Sequence, residues 1–306
     1  MKKEINKINS SYKEHEIFTY IYEPENMEIK GVIQFVHGMT DYVERYEEFA
    51  SFATKNGYVF YAHDQLGHGR TGENSGEFGY FAASKGYEYM LKDVYKVNQE
   101  IHNKYSGLPV VMVGHSMGSY LTRNYLAKFS KTINGAIIMA SGDYNIVAPI
   151  GIIFIKAMML IKGGRAQSKL VENLIFGSFN DKFEDGNGMQ WLTRDTYLQT
   201  HNRNPNFSDL KFTLSGYKDL ITIQFLATQN RWFYKVPTNT KILFLSGGMD
   251  PLGGYGENIK SIFKKLIKTK HSNVEMKLYK GARHELCHEI NREEVFGDII
   301  DWANKI

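Results

Sequence analysis

Six short runs of nearly unbroken apolar residues constrain the fold of this chain more than any other feature. They fall at 31–36 (GVIQFV), 58–62 (YVFYA), 109–113 (PVVMV), 135–140 (GAIIMA), 241–245 (KILFL) and 274–278 (VEMKL). A strand with one wet face alternates apolar and polar residues, whereas a strand covered on both faces need not. The segments 42–55, 86–105, 118–129 and 292–304 instead carry their apolar residues at helical spacing. Strands alternating with helices imply parallel βαβ units joined by right-handed crossovers. The predicted class is therefore α/β, with a mostly parallel central sheet flanked by helices.

The alternation stops after Gly142 and resumes near Val236. Between them lie helical patterns and turn-rich stretches such as NDKFEDGNG and HNRNPNFSD, with no convincing strand. This divides the chain into a core, 1–142 with 236–306, and a helical insertion, 143–235, placed between two strands of one sheet. A length of 306 residues suits one large domain with such an insertion.

Charge excludes some functions. Thirty-seven basic and thirty-three acidic residues leave a net +4, interspersed along the chain, which argues against a nucleic-acid partner. Lys260, Lys264, Lys265, Lys268 and Lys270 alternate with apolar residues as on the wet face of a helix. The single cysteine, Cys287, has no partner within the chain and fits a reducing compartment. The charged start, MKKEINKINSSYKEHE, lacks the apolar stretch of a secretory leader, so a cytoplasmic location is expected. The apolar run 146–161 is broken by Pro149, Gly151 and Lys156 and is shorter than the roughly 20 residues that span a bilayer.

The chemistry is expected where a strand ends. Directly after 109–113 the chain reads GHSMGS and continues as a helical pattern. A GxSxG pentapeptide alone is weak evidence, but on a sharp strand-to-helix turn it presents the Ser116 hydroxyl above the sheet, with Gly114 and Gly118 leaving room for the bend. A serine hydroxyl is a poor nucleophile until a base takes its proton, so a histidine and a carboxylate are required at later strand ends. Asp250 follows the strand KILFLSGG, and His284 follows VEMKLYKGA. Asp143, after MASG, is a competing acid, and His288 a competing base. His37, His63 and His68 are read as structural. Two backbone N–H groups should receive the developing oxyanion: that of Met117, next to the serine, and that of Met39, in the loop after GVIQFV. No spacing of His, Cys, Asp or Glu suggests a metal, and no cofactor is expected.

These residues resemble a known family, the α/β-hydrolases of the monoacylglycerol lipase and bacterial lysophospholipase type. The resemblance is carried by VHGMTDYVERYEEFA, YAHDQLGHGRT, LPVVMVGHSMGSY, SGGMDPLGGYGENI and KGARHELCHEINREEVFGDIIDWANK. It implies an α/β-hydrolase fold whose insertion is a cap over the nucleophile. It also implies Ser116 as nucleophile, Asp250 as acid, His284 as base, and Met39 and Met117 as oxyanion donors. Many relatives carry glycine at the position of Ser119 and another residue at that of Asp41; neither change touches a catalytic side chain.

The implied activity is hydrolysis of carboxylic esters of lipids through an acyl-enzyme. The apolar segment 152–161 could line an acyl tunnel, rest transiently on a membrane surface, or simply form the cap's own core. Phe154, Met158 and Trp191 are the candidate substrate contacts, with Phe225 and Trp232 as further walls. No basic cluster in the insertion suggests phosphate recognition, which favours neutral monoacylglycerols or simple esters over lysophospholipids. An aminopeptidase or amidase of the same fold is the alternative, though Glu172, Asp181, Glu184 and Asp185 do not obviously converge into an anchor for a substrate amine. A silent, ligand-binding hydrolase-like module is the remaining one.

Overall fold

The computed structural model describes the chain except residues 14, 184–187, 202 and 209. Eight strands form one sheet: β1 (Lys2–Asn9), β2 (Glu16–Glu23), β3 (Gly31–Val36), β4 (Tyr58–His63), β5 (Val110–His115), β6 (Gly135–Met139), β7 (Ile242–Gly247) and β8 (Val274–Tyr279). Their order is β1-β2-β4-β3-β5-β6-β7-β8, parallel from β4 to β8. All six apolar runs are strands, within two residues of the expected ends.

Their unbroken apolarity has the expected cause. In β5, Val110 and Met112 join a core with Val94, Val97 and Leu121 on one face of the sheet. Val111 and Val113 point the other way, into a core with Phe49, Phe296 and Ile299. The one polar residue in β3, Gln34, is fully buried and satisfied: its amide donates to the Val94 carbonyl at 2.8 Å and accepts from Asn98 at 2.9 Å. A buried amide with both ends partnered avoids the desolvation cost of an orphaned one.

The sheet has two strands beyond those expected. β1 and β2 form an antiparallel hairpin, and β2 pairs antiparallel with β4. β1 reads KKEINKIN and lies mostly exposed at the sheet's edge. Lysine and glutamate there protect an open edge against pairing with another chain, and they also hide the strand from an apolarity search.

The strand order positions the chemistry. From β3 the chain passes outward to β4, then returns to the other side of β3 as β5. The loops after β3 and β5 therefore diverge, which opens a crevice at their carboxyl ends. Between β6 and β7 the described residues form helices Ala148–Lys162, Lys169–Phe176, Thr196–His201, Pro205–Ser208, Leu214–Thr228 and Trp232–Lys235. Among the described residues none of these helices is long and apolar enough to cross a membrane.

Candidate active site

Ser116 lies between β5 and the helix Met117–Phe129 with φ 53° and ψ −117°, a conformation that L-residues adopt only when their surroundings enforce it. The surroundings do so through two glycines. A Cβ on Gly118 would lie 2.0 Å from the Val36 carbonyl oxygen, and one on Gly114 2.2 Å from the Thr122 hydroxyl and 2.4 Å from the Gly118 oxygen. The elbow is also tied to β6, since the Ser116 N–H donates to the Met139 carbonyl at 3.0 Å. The half-buried hydroxyl thus stands over the first turn of a helix, whose unpaired N–H groups favour negative charge.

Asp250 and His284 arrive from neighbouring strands. β7 and β8 pair in register, and past their ends the Met249 N–H donates to the Ala282 carbonyl at 2.8 Å. Both side chains are buried. The Ser116 Oγ is 2.9 Å from His284 Nε2, and His284 Nδ1 is 3.0 Å from each oxygen of Asp250. The Leu252 N–H donates to Asp250 Oδ1 at 2.9 Å, which fixes the carboxylate. This arrangement requires the proton on Nδ1, leaving Nε2 free to accept from the serine. Burial opposes the imidazolium, but the charge and hydrogen bond of Asp250 override it and hold the pKa of His284 above its ordinary value.

The competing residues are held by other partners. Asp143 is held by Lys265 and Ser261, each at 2.8 Å. His288 is buried against Tyr46, with Nε2 3.1 Å from the Arg45 carbonyl oxygen. His37 donates from Nδ1 to the Gly38 carbonyl at 2.8 Å and accepts at Nε2 from the Gln65 N–H at 3.0 Å, so it shapes the loop that carries Met39. That loop passes close to the serine: a Cβ on Gly38 would lie 3.1 Å from that of Ser116. Met39 and Met117 both border the same cavity as Ser116.

Sequence reasoning missed a buried ionic network beneath this site. Arg45 donates to Asp41 at 2.8 Å and to both oxygens of Glu285, at 3.2 and 2.7 Å, while Arg203 of the insertion donates to Glu285 at 3.0 Å. Burial penalises every charge here, yet Arg45 holds both carboxyls below their usual range. His115, inside the pentapeptide, bridges the Tyr46 hydroxyl and the His284 carbonyl, each at 3.2 Å. The only sequence signal was an arginine four residues after an aspartate, with the distant partners invisible.

The cavity over Ser116 has a volume of about 1280 Å³, above the roughly 300–1,000 Å³ usual for small-molecule pockets. Ile150, Phe154, Ile155, Leu174, Ile175 and Phe176 form an apolar wall. Trp191 borders it beside that wall, its ring stacked 6.4 Å from that of Phe176 and 4.9 Å from the His284 ring. Met158 is absent from the lining and packs on the core: it lies on the same side of its helix as Phe154 but one turn further along, past Ile155, the last residue of that helix to border the cavity. Trp232 is fully buried with its indole N–H on the Arg123 carbonyl at 2.6 Å, and Phe225 packs on Tyr144; neither borders the cavity. Of the acidic residues considered as an amine anchor, Glu172 lines the cavity, Asp181 does not, and Glu184 and Asp185 lie outside the described residues.

A family model described as serine aminopeptidase, S33, matches residues 27–291. Human monoglyceride lipase is 24% identical over 283 residues, covering 90% of this chain and 83% of that one. The phospholipase YtpA of Bacillus subtilis is 24% identical over 268 residues, 87% and 92% of the two chains. A thermostable carboxyl esterase from Bacillus coagulans, solved in complex with glycerol, superposes with a TM-score of 0.93 at 26% identity, over 100% of this chain and 99% of that one.

Proposed function

The chain belongs to the serine aminopeptidase S33 hydrolase family, and on that footing we propose that it is a lipase-type carboxylic ester hydrolase working through Ser116, His284 and Asp250. The observation that carries this reading is the unbroken hydrogen-bond chain from Ser116 Oγ through His284 to Asp250, opening onto an apolar cavity. His284 Nε2 takes the hydroxyl proton as Oγ attacks the ester carbonyl carbon. The backbone N–H groups of Met39 and Met117 receive the oxyanion. Collapse breaks the bond to the alcohol, which leaves with the proton from His284. Water then repeats the sequence on the acyl-enzyme, releasing the acid and Ser116. The steps require no metal or cofactor.

The substrate class follows from the cavity's two sides. The leaving alcohol departs beside His284, where Thr40, Asp41, Arg203 and Glu285 line the wall; the acyl chain lies along the wall from Ile150 to Phe176. Two acids and two guanidiniums, Arg45 included, leave that network neutral, which suits a hydroxylated, uncharged leaving group such as that of a monoacylglycerol. The names of the human and Bacillus relatives, monoglyceride lipase and carboxyl esterase, support the same class.

Residues 143–235 act as the cap in this reading. Ile146, Val147, Ile150, Ile153, Leu170 and Leu174 are exposed around its apolar wall and make transient contact with a lipid surface. The protein then works in the cytoplasm and at the membrane periphery, consistent with a buried, unpaired Cys287.

A fluorophosphonate probe should label wild-type protein at Ser116, and Ser116→Ala should lose hydrolysis of nitrophenyl esters by several powers of ten. Retained activity in that variant would remove the proposal. Aminoacyl anilides should turn over more slowly than monoacylglycerols, because three of the four described acids that line the cavity, Asp41, Asp143 and Glu285, already have cationic partners, and Glu172 alone of the four has no ion pair among the described residues to set against a substrate amine's.

A further inference from the structure

We infer that residues 191–194 of the insertion form a strap that positions the His284 imidazole, anchored by the buried carboxylate of Glu289. The inference rests on the assignment of His284 as the base. It adds support of the imidazole to the expected role of Trp191 as a substrate wall.

The loop 283–290 has no helix or strand of its own around His284 apart from a short 3-10 turn at Leu286–His288. A loop of that kind would leave the imidazole free to tilt, and the strap restrains it. The His284 N–H donates to the Trp191 carbonyl at 3.3 Å, and the Glu285 N–H to the Leu192 carbonyl at 2.7 Å. The Thr193 hydroxyl donates to the His288 carbonyl at 2.8 Å. Arg283 returns the contact, donating to the carbonyls of Gln190 and Thr193. The backbone of the insertion thus runs alongside the histidine loop and carries the Trp191 ring against the imidazole.

Glu289 joins the two segments. It is fully buried, and its Oε1 accepts from the Arg283 N–H at 2.7 Å and the Arg194 N–H at 3.3 Å. Its Oε2 accepts from Arg194 Nε at 2.8 Å and from the Ile290 N–H at 3.1 Å. One carboxylate therefore receives donors from both sides of His284 and from the strap. None of these groups touches Ser116, so the carboxylate acts only through the loop. A displacement of about 1 Å at the imidazole costs on the order of 100-fold in rate, so a loosened loop is expected to show in kcat.

The test compares wild type with Glu289→Gln and Thr193→Val, neither of which borders the cavity, on nitrophenyl acetate and nitrophenyl decanoate, across pH. A positioning role lowers kcat by the same factor, about 10-fold or more for Glu289→Gln, on both esters, with KM unchanged. It also moves the acid limb of kcat/KM to lower pH, because a looser imidazole loses part of its contact with Asp250. The titratable groups facing His284 are Asp250, Asp41, His115 and Glu285, and no substitution alters them. An unchanged kcat and acid limb, or a loss confined to KM for the decanoate, overturns the inference. Should Glu289→Gln not fold, Arg194→Gln removes the same contact from the partly exposed side and is measured in the same way. Fluorophosphonate labelling of the wild type separates the two levels: no labelling defeats the hydrolase assignment, whereas labelling with unaffected variants defeats the strap alone.

Discussion

The insertion has two halves that are built differently. In residues 144–181, helix Ala148–Lys162 buries only Ala148 and Ile155, and helix Lys169–Phe176 only Val171. In residues 190–235, helix Leu214–Thr228 is buried along most of its length and packs on Gly86–Lys104 and Met117–Phe129. Its cap residue Thr213 donates to the Gly79 carbonyl at 2.9 Å, and Asn124 of the helix after Ser116 donates to the Ile223 carbonyl at 2.9 Å. The second half is thus bonded into the core and into the loop of His284, whereas the two helices of the first are largely exposed, and the segment after Ala148–Lys162 is tied down by the Leu214 and Ser215 N–H groups donating to the Ala166 and Gly164 carbonyls and by Arg165 pairing with Glu77. Sequence position between β6 and β7 does not make one lid: the half with the apolar cavity wall is mostly exposed, and the half beside the imidazole is mostly buried.

The largest expected effect that separates the halves is Trp232→Ala. It removes a fully buried indole and its hydrogen bond to Arg123, and should destabilise by about 3–5 kcal/mol, read as a lowered melting temperature. A change under about 0.5 kcal/mol would show that the second half is not part of the core.

Acid should act on the core as well. Burial holds His37, His63, His115 and His288 to pKa values of about 4 and His68 to about 3. Each is neutral when folded and takes up a proton on unfolding below about pH 6.5, so stability should fall as pH drops from 6.5 toward 4. None of the five lies in residues 144–181. Activity should fall earlier, with a midpoint above about 6.5, because His284 is shifted the opposite way and must stay neutral to accept the serine proton. Melting curves and kcat/KM measured over the same pH series check both statements, and coincident midpoints would contradict them.

A smaller effect is expected from Thr213→Val, which loses a cap bond to the Gly216 N–H and the contact to Gly79, at about 1–2 kcal/mol by denaturant titration. The smallest is Ile153→Ser in the exposed wall, within about 0.5 kcal/mol of wild type. Phe154→Ala nearby should lower kcat/KM about 3- to 10-fold for decanoate and leave acetate unchanged. Limited trypsin digestion gives an independent reading: Lys156 or Lys162 should be cut before Lys218, which is buried beside Asp219 at 3.2 Å. First cleavage at Lys218 would reverse the comparison.

Much of this was legible in the residues because burial on both faces leaves a local mark. Apolar runs located β3 to β8, and the residues just past three of them include Ser116, Asp250 and His284. The edge strand β1 left no such mark, since most of it faces water. Met158 was placed in the cavity wall because composition reveals that a helix is apolar but not how far along it a cavity extends; the lining from this helix ends at Ile155.

What the sequence by itself determined is the parallel sheet, the elbow around Ser116 and the order in which acid and base follow it, because short-range packing and strained backbone need particular residues at particular spacings. Asp250 and His284 were already the preferred acid and base from strand order and the resemblance, and the tertiary structure supplies what holds their competitors away. Lys265 takes Asp143 and the Arg45 carbonyl takes His288, leaving Asp250 and His284 to each other. The strap and the Glu289 anchor belong to the same category. They join residues roughly 95 positions apart, and hydrogen bonds over such separations exist only after the fold has brought the insertion and the loop past β8 to one rim.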